Sequence, residues 1–293
     1  MFSKLKESFE NQLRHQRSWL DDLSRRSALA KLAAMRLLNG FPHGVSTERD
    51  MNDRFAEFPE MPDGASFWDA WLTAARIAQR RLLTGNLSDV AFVSGRAIAI
   101  YATRLNLVVL PAGIIGRPVF YKLGPPAHNY GALGMIIAHE MTHGYDPGNV
   151  MLDESGRRRD WMTTWSRHEY AERLSCLQRH HAEMSGTSAL EQQASENLAD
   201  FVASLVSHAA FSALPARQRR AMVANLTGEQ LFFVARCVIW CTAPGGYSRE
   251  QGFGNHAGKR ARCNVPAMNT PAFGSAFGCP SGSRMNPADK CIF

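Results

Sequence analysis

The stretch ALGMIIAHEMTHGYD, residues 132–146, constrains the fold of this chain more than any other segment. An unbroken small and apolar run leads up to His139 and predicts a buried helix, which Gly144 would end or bend. Residues four apart share one face of a helix, so His139 and His143 would stack on the same side. Two imidazoles placed in this way can bind one Zn²⁺, and Glu140, on a neighbouring face, could reach a metal-bound water.

The same motif also allows a simpler interpretation, in which a core helix carries two histidines that hydrogen-bond to their neighbours. A catalytic zinc needs a third protein ligand and an open position for water. The segment SENLAD offers one, because Glu196 and Asp200 are again four apart on a predicted helix. Glu196 would complete a His₂Glu set, and Asp200 would accept the free ring N–H of a ligand histidine. A solvent-facing acidic pair is the alternative, but the apolar face of that helix favours a packed one.

Composition and charge exclude several classes of protein. The 293 residues are 45% hydrophobic and 20% charged, which is typical of a globular protein long enough to bury a core. No signal peptide is visible, because MFSKLKESFENQLRHQ is charged throughout, and no apolar run is long enough to span a membrane. The net charge of +7 could suggest nucleic acid, but the basic residues are scattered, so we expect a solvated basic surface and no nucleic-acid partner.

Apolar periodicity predicts a mainly helical protein with a small β element before the candidate metal-binding helix at 129–145. Helices are expected at 2–38, 66–84, 129–145, 160–184, 190–214 and 227–242. The β-rich segment is 96–120, which alternates around a turn near Thr103–Asn106. The Gly-, Pro- and Asn-rich remainder, 243–293, is expected to be irregular apart from one turn near AFGSAF.

The simplest domain organisation is a single, mainly helical domain over 1–293, because the sequence contains no repeats and no low-complexity linker. Within it, a helical lead-in over 1–95 would precede the zinc-site core and the irregular C-terminal region over 96–293.

Cysteine positions bear on the compartment. Five of the six cysteines lie in the last quarter of the chain, and the sixth is Cys176. This clustering near an irregular tail favours disulfides and a secreted or periplasmic protein, whereas the lack of a signal peptide favours the cytoplasm or a trimmed chain. A second zinc site is the alternative use of these cysteines, and no C-x-x-C pair supports it.

Several sequence blocks together resemble the catalytic domain of the neprilysin family of zinc metallopeptidases, which includes neprilysin and endothelin-converting enzyme. The early blocks are SWLDDLSRRSALAKL, GFP, LVVLPAGI and NYGALGMIIAHEMTHGYD, and the later ones are ENLAD, WC, AFGC and MNPADKC. The resemblance implies a thermolysin-like (gluzincin) fold that binds one Zn²⁺ per chain. It implies His139, His143 and Glu196 as zinc ligands. It also implies Glu140 as the catalytic base and Asp200 as the carboxylate that orients a ligand histidine.

The family also uses a late histidine and a late arginine to bind the substrate carbonyl and stabilise the oxyanion, and the block AFGC places them at His256 and Arg262. A donor and a cation aimed at developing negative charge lower a barrier by about 3 kcal/mol. Without the resemblance, His256 would be an ordinary histidine in a glycine-rich loop. The family's Asn-Ala-aromatic-Tyr edge, which hydrogen-bonds the substrate backbone, corresponds here to Ile98, Ala99, Ile100 and Tyr101.

Three departures from the family pattern change the expected substrate binding. Ile98 replaces the amide of that edge, which removes a hydrogen bond worth about 0.5–1.5 kcal/mol and adds apolar surface. Gly254 stands where the family has the acidic residue that orients His256. The N-terminal lobe that caps the cleft in the family has no counterpart in the sequence, so a partner chain or self-association could close the cleft instead.

The resemblance also implies a Cys176–Cys291 disulfide that ties the C-terminus to a helix. In the family, the cysteines that match Cys241 and Cys279 pair with the capping lobe, so these two need other partners here. The expected remaining pairs are Cys241–Cys279 and Cys237–Cys263.

These observations predict a zinc-dependent metallopeptidase or related amide hydrolase in which Glu140 activates a zinc-bound water. A specialised tailoring hydrolase or lyase, acting on a modified peptide or a small molecule, is the alternative, and the lost amide and the lost cap motivate it. A catalytically silent binding protein on the same scaffold is a third hypothesis. Retention of all three zinc ligands together with Glu140 argues against silence. The expected substrate is a peptide or a modified peptide.

Overall fold

Helices dominate the chain in the computed structural model, which describes residues 1–15, 18–41, 45, 47–61, 63–84, 97–186, 191–220, 222–241 and 254–293. The helices are α1 (Phe2–His15), α2 (Asp22–Ala34), α3 (Glu48–Phe55), α4 (Phe67–Thr84), α5 (Pro126–Asn129), α6 (Met135–Thr142), α7 (Thr164–Ser185), α8 (Ala194–Ser212), α9 (Ala216–Arg219), α10 (Gly228–Val238), α11 (Lys259–Asn269) and α12 (Pro271–Phe277). A π-helix, Tyr130–Gly134, joins α5 to α6, and short 3-10 helices cover Thr103–Leu105, Ala112–Ile114 and Glu191–Gln193. The strands are β1 (Arg36–Gly40), β2 (Ile100–Ala102) and β3 (Leu107–Pro111). The prediction of a mainly helical fold with a small β element is therefore confirmed.

The three strands form one sheet in the order β1-β3-β2. β1 runs parallel to β3, and β2 runs antiparallel to it. The predicted turn between β2 and β3 is confirmed as the 3-10 helix Thr103–Leu105, which is followed by Asn106, whose φ of +46° an asparagine tolerates well. The Asn106 side chain accepts a hydrogen bond from the Tyr101 hydroxyl at 2.9 Å and donates one to the Lys31 carbonyl at 2.9 Å. These bonds tie the hairpin to α2.

The helix predicted over 2–38 is wrong in its extent, because the chain forms α1, α2 and then β1 in this region. Asp21 caps the start of α2 by accepting a hydrogen bond from the amide of Ser24 at 2.8 Å. After α2 the leucines of MRLL suit a helix or a strand equally well. Parallel pairing of Leu37 with Val108 on β3 decides in favour of the strand.

The irregular C-terminal region expected over 243–293 is wrong where the chain forms α11. The exception expected near AFGSAF corresponds to the short helix α12. Pro266 and the surrounding Gly, Pro and Asn residues disfavour a helix locally. Burial outweighs this preference, since Val265 and Met268 pack into the main hydrophobic core. The boundary predicted between 95 and 96 falls within 85–96, outside the described residues.

The core centres on the packing of α6 against α8. The inward side chains of α8 include Leu198, Phe201 and Val206, all essentially inaccessible to solvent. The π-helix before α6 crosses the backbone of α10 at Gly131, where a Cβ would lie 2.3 Å from the carbonyl oxygen of Phe232. A glycine is therefore needed for the approach of these two elements. No helix in the described part of the chain is both long and apolar enough to cross a membrane.

Two disulfides connect the C-terminal region to the helices. Cys176–Cys291 joins α7 to the chain end, and Cys237–Cys263 joins α10 to α11, as expected. The expected Cys241–Cys279 pair is wrong, because both residues carry free thiols. The Cys241 side chain is exposed just beyond α10, where its Sγ lies 3.9 Å from the carbonyl oxygen of Cys237.

The segment that follows α6 is held in place by a buried lysine from α2. Lys31 Nζ donates to the carbonyl oxygen of Asn149 at 2.9 Å and to that of Leu152 at 2.8 Å. Burial lowers the pKa of Lys31 to about 8, while the charges of Asp146 and Asp153 act in the opposite direction. The lysine thus links the lead-in helices to the loop behind the candidate metal site.

Replacing Lys31 by methionine should lower the free energy of unfolding by about 2 kcal/mol, because two buried carbonyls lose their donor. Urea denaturation measures this loss, and Lys4→Met, which removes only an exposed pair with Glu7, should change stability by less than about 0.5 kcal/mol.

Folding lowers the Lys31 pKa below 10.5, so the unfolded chain holds this proton more tightly. The parent should therefore gain stability relative to Lys31→Met as pH rises from about 8 to 10.5. Equal free energies of unfolding for Lys31→Met and the parent would contradict the anchoring role of Lys31.

Candidate metal centre and active site

Three side chains from two packed helices converge on one point. His139 and His143 project from one face at the C-terminal end of α6, and Glu196 projects from the first turn of α8. The two Nε2 atoms lie 3.1 Å apart, His139 Nε2 lies 3.2 Å from Glu196 Oε2, and His143 Nε2 lies 3.8 Å from Glu196 Oε1. Tetrahedral ligands at zinc-ligand bond lengths are separated by about 3.3 Å. The spacing of the two imidazoles and the carboxylate therefore suits a single zinc ion.

The polar atoms of this cluster also fit a cation better than they fit each other. Glu196 Oε2 is buried and receives no well-directed hydrogen bond. The Nε2 atoms of His139 and His143 face each other, so at most one of them can act as a donor to the other. A divalent ion would bind all three atoms at once, and two imidazoles with one carboxylate are a ligand set that zinc prefers.

Each histidine of the cluster has a carboxylate on its far side. Asp200 Oδ1 lies 3.0 Å from His139 Nδ1, a hydrogen-bonding distance at an unfavourable angle, as the placement of Asp200 on the sequence led us to expect. Asp146 Oδ2 lies 2.7 Å from His143 Nδ1, and its Oδ1 accepts from the Asn149 amide at 2.9 Å. Sequence reasoning missed Asp146, although its position three residues after His143 is a usable signal. A carboxylate at Nδ1 leaves Nε2 free for a metal.

The charges of the cluster shift its pKa values strongly. Burial lowers the pKa of His139, but the carboxylates of Asp200 and Glu196 outweigh burial and raise it to about 10 in the absence of a metal. Burial tends to raise the pKa of Asp200, but Arg262 and His139 hold it well below its usual range. The same balance holds the pKa of Glu196 low, with His139 and His256 as its partners. The carboxyl groups of Asp200 and Glu196 are thus negatively charged at neutral pH.

Arg262 lies behind the cluster. Its Nε and Nη2 donate to the two carboxylate oxygens of Asp200 at 2.6 and 2.9 Å, and its guanidinium carbon lies 4.0 Å from the centre of the Trp240 ring. Nη2 is 3.8 Å from Glu196 Oε2, so the guanidinium also faces the ligand carboxylate. The main contact of Arg262 is a bidentate pair with Asp200, and the arginine reaches the cleft as part of its wall.

His256 reaches the cluster from the loop before α11. Its Nε2 lies 3.1 Å from Glu196 Oε2, and 39% of its side chain is exposed, so the ring is open to the cleft. Gln193 Nε2 donates to the His256 carbonyl oxygen at 3.4 Å, and Asn255 Nδ2 donates to Glu196 Oε1 at 3.3 Å. The structure thus brings together every residue that the sequence placed at the metal and at the oxyanion.

A cleft of about 660 Å³ opens onto the cluster. Glu140 lines it beside the two histidines and is itself almost fully buried. Burial raises the pKa of the Glu140 carboxyl, and the charges of His139 and His143 act against this rise. A carboxylate with a raised pKa next to a metal position is equipped to accept a proton.

The predicted substrate edge also borders the cleft. Ile98 and Ile100 are 56% and 37% exposed, whereas Ala99 is buried and the Tyr101 hydroxyl is bound to Asn106. The remaining apolar wall, which sequence reasoning missed, comes from Ile114, Val119, Ile136, Ile239 and Trp240. No sequence signal separates these residues from the core, because burial and cleft lining use the same side chains.

Residues 98–293 match the sequence profile of peptidase family M13. The chain belongs to this family. Neprilysin-1 of Caenorhabditis elegans is 30% identical over the whole chain, which covers 41% of that relative. Endothelin-converting enzyme 1 of Mus musculus is 26% identical over 98% of the chain, which covers 39% of the relative. The chain thus spans about two fifths of the length of these curated relatives. M13 membership together with the His139–Glu140–His143 group implies a zinc cofactor.

Solved structures share the fold of this M13 chain. The zinc metalloprotease ZMP1 of Mycobacterium tuberculosis, in complex with an inhibitor, superposes with a TM-score of 0.80 at 22% identity, covering 100% of this chain and 46% of that one. PepO of Lactobacillus rhamnosis superposes with a TM-score of 0.78 at 21% identity, covering 98% of this chain and 44% of that one. The predicted zinc-peptidase catalytic fold is therefore confirmed.

The carboxylate behind His143 gives a direct test of the metal site. Asp146→Asn replaces a charged acceptor at Nδ1 by a neutral amide, so zinc affinity should fall about 10–100-fold. Competition with a chromogenic chelator measures this affinity, and Asp160→Asn, which affects only a surface pair with Arg167, serves as the matched control. Unchanged zinc affinity in a folded Asp146→Asn protein would show that Asp146 does not support a ligand.

Proposed function

We propose that this chain is a zinc-dependent peptidase with one zinc ion per chain, held by His139, His143 and Glu196. The convergence of these three side chains beside Glu140, at the base of an open cleft, carries the proposal. A zinc ion bound there would supply a Lewis acid that polarises a carbonyl and lowers the pKa of a water molecule. The matching family, peptidase family M13, supports peptide hydrolysis.

Glu140 acts as the general base of the reaction. Its carboxylate lies in the cleft wall next to both histidines, where it can take a proton from the attacking water and pass it to the leaving amine. Burial excludes bulk water from this carboxylate and raises its pKa, which suits both transfers.

His256 and Arg262 stabilise the negative charge that develops on the substrate carbonyl oxygen. The His256 ring is open to the cleft, so its Nε2–H can donate to that oxygen. Arg262 acts at closer range on Asp200, whose charge it balances, and contributes a positive field to the same wall. Asp200 in turn keeps His139 in the tautomer whose Nε2 binds metal.

Substrate binds in extended form along β2. Among the strands that the structure describes, β2 lies at the edge of the sheet and borders the cleft, so its outer side can pair with a peptide backbone. Ala99 and Tyr101 supply backbone contacts, and Ile98 offers an apolar surface in place of an amide. We therefore propose weak activity on ordinary peptides and better activity on an apolar or modified one. A partner chain or self-association over the cleft would supply further contacts.

The cysteines point to the compartment in which this peptidase works. Disulfides such as Cys176–Cys291 and Cys237–Cys263 persist in oxidising surroundings. We propose a secreted or periplasmic location on this basis.

Replacing Glu140 by glutamine tests the catalytic assignment. The amide cannot accept a proton, so turnover of a mixed peptide library should fall at least about 100-fold while zinc content stays the same. Mass spectrometry of the products and metal analysis measure the two quantities. Glu183→Gln, on the exposed side of α7, provides the control and should match the parent. Normal turnover by Glu140→Gln would rule out its role as the base.

A further inference from the structure

One cation in the cleft wall has no part in the proposed chemistry. Arg117 lies in the segment between β3 and α5 and borders the same cleft as the metal cluster. The other arginine of the described cleft wall, Arg262, is already paired with Asp200. No carboxylate among the described residues lies within ion-pair distance of Arg117, and its side chain is exposed. This guanidinium is therefore available to an anion that enters the cleft.

The backbone around Arg117 is held in a defined turn. The amides of Val119 and Phe120 both donate to the carbonyl oxygen of Gly116, at 2.9 and 2.8 Å. The carbonyl oxygen of Pro118, the residue after Arg117, accepts a hydrogen bond from His128 Nε2 at 2.9 Å. The position of Arg117 at the cleft is thus set by the fold.

An aromatic residue supports the arginine side chain itself. The guanidinium carbon of Arg117 lies 5.4 Å from the centre of the Tyr121 ring, which in turn contacts the His128 ring edge-on at 4.9 Å. Asn129 fixes Tyr121 through two hydrogen bonds to its backbone, at 3.0 and 2.8 Å. A guanidinium supported on a ring loses less freedom when it binds, so its interaction with a ligand is stronger.

The surroundings favour a carboxylate as the partner. Neighbouring side chains of the cleft, such as Ile114 and Val119, are apolar and reduce the screening of charge by water. The planar guanidinium matches a carboxylate with two parallel hydrogen bonds. Both acidic residues of the described cleft wall, Glu140 and Glu196, are committed to the metal cluster. The carboxylate must therefore come from the substrate.

We propose that Arg117 binds a carboxylate of the peptide substrate and makes the enzyme select peptides that carry one within reach of the metal. The carboxylate is either the free C-terminus of a short peptide or the side chain of an acidic residue. This inference rests on the proposed peptidase function, and it goes beyond it by naming the charge of the preferred substrate.

Selectivity within matched peptide pairs tests the proposal. One pair differs only in a free or amidated C-terminus, and the other only in glutamate or glutamine near the cleaved bond. The zinc-loaded parent should show kcat/KM about tenfold higher for the carboxylate member of at least one pair. Arg117→Met should bring that ratio close to one, and Arg117→Lys should keep part of it. Arg159→Met, an exposed arginine outside the cleft wall, should keep all of it.

Binding without turnover separates this inference from the proposed function. Calorimetry of the same peptides with Glu140→Gln, with and without Arg117→Met, should give the same loss of preference in Kd. If the parent cleaves no peptide but still binds the carboxylate members more tightly through Arg117, peptidase function fails and the anion site stands. Equal kcat/KM or Kd within both pairs, no binding of any of the four peptides, or a preference that survives Arg117→Met would overturn the role of Arg117.

Discussion

The packing of α6 against α8 is the contact on which the rest of the structure depends. Each helix carries a pair of polar residues four apart, His139 with His143 and Glu196 with Asp200, and the two pairs face each other across the helix contact. Apolar side chains of α8, with Phe201 fully buried, hold the helices at this separation. A shift of either helix by one residue would rotate its polar pair by about 100° and separate the ligands. Core packing therefore sets the geometry of the metal site.

The same helix contact brings several negatively charged side chains close together. Four carboxylates, those of Glu140, Asp146, Glu196 and Asp200, lie in or behind the cluster. Arg262 pairs directly with Asp200 and lies 3.8 Å from Glu196. Buried charges of one sign are costly unless they are compensated. In the absence of a metal the compensation comes from protons, which explains the raised pKa of His139. A divalent cation offsets the same charge without protonating the histidines and leaves their Nε2 atoms as ligands.

The sequence predicted the parts of this site that depend on helical spacing. His139, His143, Glu196 and Asp200 follow from i, i+4 pairs, which give the same face of a helix whatever surrounds it. Tertiary contacts decided the features that were missed. β1 exists because β3 lies beside it, and α11 forms around Pro266 because its apolar face is buried.

Side chains that act across long sequence separations were also beyond sequence reasoning. Arg117 follows β3 and is brought to the cleft by the turn after that strand, so no local pattern marks it. The expected Cys241–Cys279 pair does not form, and the structure leaves both thiols free. Pairing depends on the distance between two Cβ atoms, which sequence position does not provide.

X-ray absorption spectroscopy at the zinc K edge tests the central claim, which is that His139, His143 and Glu196 form one metal site. The account predicts one zinc per chain with two imidazole nitrogens and carboxylate oxygen at about 2.0–2.2 Å, and no sulfur in its coordination sphere. Sulfur at about 2.3 Å would place the metal on the free thiols of Cys241 or Cys279. That result, or a spectrum without imidazole, would contradict the account.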